Sequence, residues 1–76
     1  MRTAEGENNL ARAQRHVEEG AKRIANLKAR IAELHEHGHF GPAAIAKELL
    51  QTLEETQRLA TEHLRIELEL HPPKQA

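Results

Sequence analysis

From Leu10 onward the chain repeats a spacing that suits a helix with one continuous seam. Leu10, Val17, Ile24 and Ile31 recur every seven residues, and Ala13, Gly20, Leu27 and Leu34 stand three positions further on. Residues at this alternation of three and four share one narrow face of an α-helix, and mostly charged residues occupy the other positions. The β-branched and Leu pairs Ile24–Leu27 and Ile31–Leu34 fit coiled-coil packing. Gly20 interrupts the seam and weakens a helix by about 1 kcal/mol relative to Ala. It is read as a place where a large side chain of an opposing helix approaches closely. A second line of small residues, Ala21, Ala25, Ala29 and Ala32, runs beside the seam and offers another helix close approach.

The sequence His37-Gly38-His39-Phe40-Gly41-Pro42 marks the end of this helix. Gly38 suits the left-handed residue that closes a helix, and Pro42 suits the first turn of the next, where its missing N–H costs nothing. Gly41 is then the expected N-cap, with Phe40 stapled onto Ile45. At the other end Asn8 is the expected N-cap of the first helix. The boundaries predicted are helix one at about 9–37, a turn at 38–41, helix two at about 42–70, and flexible tails at 1–7 and 71–76. The second helix stops before Pro72-Pro73.

The second helix carries more apolar residues than one seam needs. Leu49, Leu53, Thr56, Ala60 and His63 follow one line, and Leu50, Leu53, Gln57, Leu64 and Leu68 another, with Leu59, Ile66 and Leu70 partly outside both. Folding about residues 38–41 places Leu34 near Ile45, Leu27 near Leu53, Gly20 near Leu59 and Leu10 near Leu70. Thr52, Thr56 and Gln57 form a polar layer that fixes register. Ion pairs are expected at Glu54–Arg58, Arg58–Glu62 and Arg65–Glu69.

The fold class is therefore all-α, an antiparallel two-helix hairpin of coiled-coil type. One thin core rarely stabilises a chain of this size, so a second copy is expected to complete a dimeric four-helix bundle. Leu50, Leu59, Leu64, Ile66, Leu68 and Leu70, with Ala25 and Ala32, are the expected interface residues.

Composition supports the helical reading and removes much chemistry. Phe40 is the one aromatic residue and Val17 the one valine, and Cys, Ser and Asp are absent. That excludes disulfides, thiolate and serine nucleophiles, cysteine-based metal centres and EF-hand loops. No phosphate-binding loop or carboxylate dyad is visible, so the chain is not expected to be an enzyme and no cofactor is expected. The start, Met1-Arg2-Thr3-Ala4-Glu5-Gly6-Glu7, lacks the apolar run of a signal peptide, and no stretch approaches a membrane span. A soluble cytoplasmic protein is the expectation.

Charge is unevenly divided. From Asn9 to Arg30 the bases Arg12, Arg15, Lys22, Arg23, Lys28 and Arg30 stand against Glu18 and Glu19. Helix two carries Glu48, Glu54, Glu55, Glu62, Glu67 and Glu69 against Lys47, Arg58 and Arg65. The preferred reading is that the oppositely charged helices pair side by side; weak nucleic-acid binding by the basic helix is the weaker one.

Six histidines stand out in so short a chain. His35, His37 and His39, near Glu33 and Glu36, are candidate zinc, copper or nickel ligands. Alternate positions on a helix point about 200° apart, so convergence would need an irregular backbone. A solvated helix end with imidazoles near the C-terminal dipole is the simpler account. His16 and His63 are expected near each other across the hairpin, each at the core edge.

The string Ala11-Arg12-Ala13-Gln14-Arg15-His16-Val17-Glu18-Glu19-Gly20 resembles small helical proteins common in α-proteobacteria. So do Arg30-Ile31-Ala32-Glu33-Leu34 with Gly38-His39, Leu49 to Thr56, and His63-Leu64-Arg65. The likeness spans residues 11–66 and departs at the turn, where those proteins often have Gly-His-Asp and a Thr cap. It implies a helical hairpin in a bacterial cytoplasm and no particular activity. The function expected is non-catalytic: homodimerisation and protein–protein interaction. The alternative is a metal- or pH-responsive module on His35, His37 and His39.

Overall fold

The computed structural model describes residues 2–72, with side chains over 9–72. Helix α1 spans Arg2–Glu36 and helix α2 spans Phe40–Leu70. The two pack antiparallel along their length as an all-α hairpin about 54 Å long and 20 Å across.

Helix α1 begins before the expected cap. Asn8 lies inside it, and 2–7 is helical rather than a loose tail. Ala4, Glu5 and Glu7 are good helix formers. In the other predicted tail, His71 and Pro72 are described as a bend following α2, and 73–76 lies outside the described residues.

The turn closes as a Schellman motif. The Gly38 N–H donates to the His35 carbonyl (3.1 Å), and the His39 N–H donates to the Leu34 carbonyl (2.8 Å). Gly38 takes φ +76°, a conformation that costs an L-residue about 1–2 kcal/mol. The N-cap of α2 is His39, two residues earlier than the predicted Gly41, and it makes no side-chain cap bond. Pro42 therefore falls at the third helical position. Its missing N–H still belongs to the unpaired first turn, so the shift costs nothing. The Phe40–Ile45 staple is not formed, because both side chains are exposed. Phe40 instead tilts against the His35 ring, with centroids 5.6 Å apart.

Every predicted seam position of α1 from Leu10 to Leu34 is buried or half-buried. The facing row of α2 is Ala43, Ala46, Leu50, Leu53, Gln57, Ala60, Leu64 and Glu67, again at alternating spacings of three and four. Ala13 and Ile31 of α1 and Ala43 of α2 are the most buried apolar residues of the seam, at 3 %, 8 % and 0 % exposure. Both rows mix small and large residues: Ala13 and Gly20 on α1, and Ala43, Ala46 and Ala60 on α2, stand among larger aliphatic ones.

Opposite Gly20 stands Gln57, not the expected Leu59. A Cβ on Gly20 would overlap the Gln57 amide, with Cδ only 2.9 Å away. The Gln57 Nε2 donates to the Val17 carbonyl at 2.8 Å, joining the helices in mid-rod. A net gain of about 1 kcal/mol from such a bond offsets the similar helix penalty of glycine.

Candidate functional site

The inner row of α2 has a neighbour. One residue earlier at each step lie Ile45, Leu49, Thr52, Thr56, Leu59, His63, Ile66 and Leu70. A shift of one residue rotates a row by about 100°, so this outer row lies on the flank of α2, outside the seam with α1. Its five aliphatic members are 41–69 % exposed. A row at heptad spacing is what a further helix packs against.

This geometry corrects the expected interface. Leu50 and Leu64 belong to the inner row and are occupied by α1, while Leu68 is half-buried. Leu59, Ile66 and Leu70 are exposed on the outer row as expected, and Ile45 and Leu49 join them. Ala25 and Ala32 are exposed on α1 beside charged neighbours, with Ala21 and Ala29. Of the polar layer, Gln57 points inward, whereas Thr52 donates to the Glu48 carbonyl at 3.4 Å and stays in solvent.

Along one flank a shallow groove separates the helices. Arg23, Asn26, Leu27 and Arg30 of α1 line its turn end with Leu49 and Leu53 of α2. His16, Glu19, Gly20 and Arg23 line its middle with Leu53, Thr56, Gln57 and Ala60. At the open end Asn9, Arg12, Ala13 and His16 face His63 and Glu67. His16 and His63 therefore border one depression from opposite helices, as expected.

Glu67 is the anomaly of this end. It occupies an inner-row position with its side chain 12 % exposed, and its Oε1 is buried without a hydrogen-bond partner. The His63 and His71 Nε2 atoms lie 3.6 and 3.8 Å from its two oxygens. The sequence counts Glu67 only among the acidic residues of the second helix, because a helical acid two positions from exposed Glu69 carries no local mark of burial.

The charge pattern differs from the expected pairing of helices. Among the described residues every ion pair lies within α2 and its C-cap. Arg58 binds Glu55 at 2.6 Å rather than Glu54 or Glu62, and Arg65 binds both Glu62 and Glu69. The hydrogen bond and charge of Arg65 hold the Glu62 carboxyl below its usual 4.5, and Glu62 in turn raises the Arg65 guanidinium. Both groups are solvent-exposed, where such pairs contribute little to stability. The acidic row Glu48, Glu55, Glu62 and Glu69 lies on the side of α2 remote from α1, and among the described residues no cation of α1 pairs with a carboxylate of α2.

The turn histidines do not converge. The His37 Nδ1–H donates to the Glu33 carbonyl at 2.8 Å, and its ring lies beside that of His39, with centroids 6.4 Å apart. His35 faces Phe40 instead. Among the described residues no three His or Glu side chains are placed to hold a metal ion, because the Schellman turn points these imidazoles in different directions. Nor is any described helix long and apolar enough to cross a membrane. Comparison with protein-family models, with characterised proteins and with solved structures finds no match to this chain.

Proposed function

We propose that this chain is a non-catalytic helical module that acts by homodimerisation and by binding other proteins. The observation that carries this reading is the outer row of α2, whose Ile45, Leu49, Leu59, Ile66 and Leu70 stand in solvent. Exposed apolar side chains aligned along one helix face are the usual mark of an interaction site. Burying each contributes about 1.5–3 kcal/mol, which a thin hairpin cannot obtain within itself.

Light scattering of the wild-type chain is expected to give twice the 8.6 kDa of one copy. Leu59→Glu with Ile66→Glu is expected to give a helical monomer, since both positions lie outside the hairpin seam. A monomeric wild type at micromolar concentration removes the homodimer reading.

A second reading, nucleic-acid binding by α1, draws on Arg12, Arg15, Lys22, Arg23, Lys28 and Arg30, none of which pairs with a carboxylate among the described residues. Such contacts strengthen steeply as salt falls. A gel-shift assay at low salt is expected to show weak retardation of DNA or RNA that disappears at physiological salt. Absence of any shift ends this reading.

A further inference from the structure

We infer that Glu67, His63 and His71 form a pH-sensitive clasp, which holds the open end of the hairpin more tightly as its histidines take up protons.

An ionised carboxylate is costly to bury unless a partner supplies opposite charge or hydrogen bonds. Glu67 stands in the inner row against α1, and its Oε1 is buried without a hydrogen-bond partner. Helical spacing sets an imidazole one turn to either side of it. The His63 Nε2 lies 3.6 Å from Oε2, and the His71 Nε2 lies 3.8 Å from Oε1. Each carboxylate oxygen thus has a ring nitrogen just beyond hydrogen-bonding distance. Both histidines are exposed, so protons reach them while the hairpin stays closed.

From α1, the described residues that share this depression with Glu67 are Asn9, Arg12, Ala13 and His16. Arg12 carries a charge that stays constant with pH. Neither Arg12 nor His16 comes within ion-pair distance of the carboxylate. The nearest charges that vary are therefore those of His63 and His71, with His16 farther off.

Histidine is the side chain that ordinarily changes charge between about pH 5 and pH 8. A neutral imidazole brings the carboxylate one N–H at most, whereas an imidazolium brings a charged donor, which binds roughly twice as strongly. In the unfolded chain the three side chains separate in water, so folding favours the protonated rings. Stability from the clasp is then present on the acid side of this range and is lost as pH rises through it. Its effect is local, because Glu67 sits at the end of the rod remote from Gly38.

Thermal unfolding of the wild type, Glu67→Gln and Glu67→Leu at about pH 8 and about pH 5.5, at one ionic strength, tests this. The other histidines titrate in all three chains, so the quantity read is the difference between wild type and variant. As pH falls, the Tm of the wild type is expected to gain several degrees on that of Glu67→Gln. Glu67→Leu is expected to behave alike. In a chain that also carries His63→Gln and His71→Gln, the effect of Glu67→Gln is expected to be the same at both pH values. A wild type that runs parallel with either Glu67 variant overturns the clasp. A pH-dependent difference that survives the loss of both histidines also overturns it, since the partner would then lie on α1.

Discussion

Replacing Ile31 by alanine is expected to lower the stability of the hairpin by about 2–3 kcal/mol, the lower part of the range for truncating a buried Ile. Ile31 is 8 % exposed and sits one heptad layer from the turn. A rod two helices wide has little material to close over the missing methyls. For a chain of this length the loss corresponds to a fall in Tm of roughly 10–20 °C, read by far-UV circular dichroism. The neighbouring exposed Ala32 provides the contrast, since Ala32→Ser removes no packing and is expected to shift Tm by only a degree or two. Equal losses at both positions would mean that the seam does not carry the fold.

The opposite sign is expected at Glu67. Its carboxylate lies in the inner row with one oxygen buried and without a hydrogen-bond partner. Leaving a polar group in that state costs about 1–3 kcal/mol. Glu67→Leu removes the cost and adds apolar contact beside Ala13, so stability should rise by about 1–2 kcal/mol and Tm by roughly 5–10 °C. Glu69→Leu, at an exposed carboxylate paired with Arg65, is expected to change little, because solvent-screened surface pairs contribute little to stability. A lower Tm for Glu67→Leu would show that His63 and His71, when charged, hold that carboxylate more strongly than leucine packs.

Helix one was legible because a single set of positions satisfied the heptad rule. Its large members, Leu10, Ile24, Leu27, Ile31 and Leu34, left no second choice of face. Helix two was read correctly as helical and as too apolar for one partner, but its inner face was misassigned. Two rows one residue apart both satisfy the spacing, and the more aliphatic of them is the one left in solvent. The choice is made by volume: Ala43, Ala46 and Ala60 accept the bulk of α1, and Gln57 fills the space above Gly20. Hydrophobicity alone favours Leu59 over Gln57, so the pairing of Gly20 was read two residues too late. The turn was legible at Gly38, where one φ angle decides, and less so at Gly41, where Pro42 tolerates any place in the first turn. The burial of Glu67 had no local signature, since it follows from register across the hairpin.

The Schellman turn also sets an order of assembly. Gly38 holds the helices a few residues apart in sequence, so the layer containing Ala43 closes a short loop, and each layer beyond it closes a longer one. Closure entropy grows only slowly with loop length, so the hairpin zips outward from the turn by short-range contacts, the topology associated with fast folding. Amide hydrogens near Ile31 and Ala46 should then exchange last with solvent. Those near Asn9 and His71 should exchange first, making the open end the place where the rod breathes.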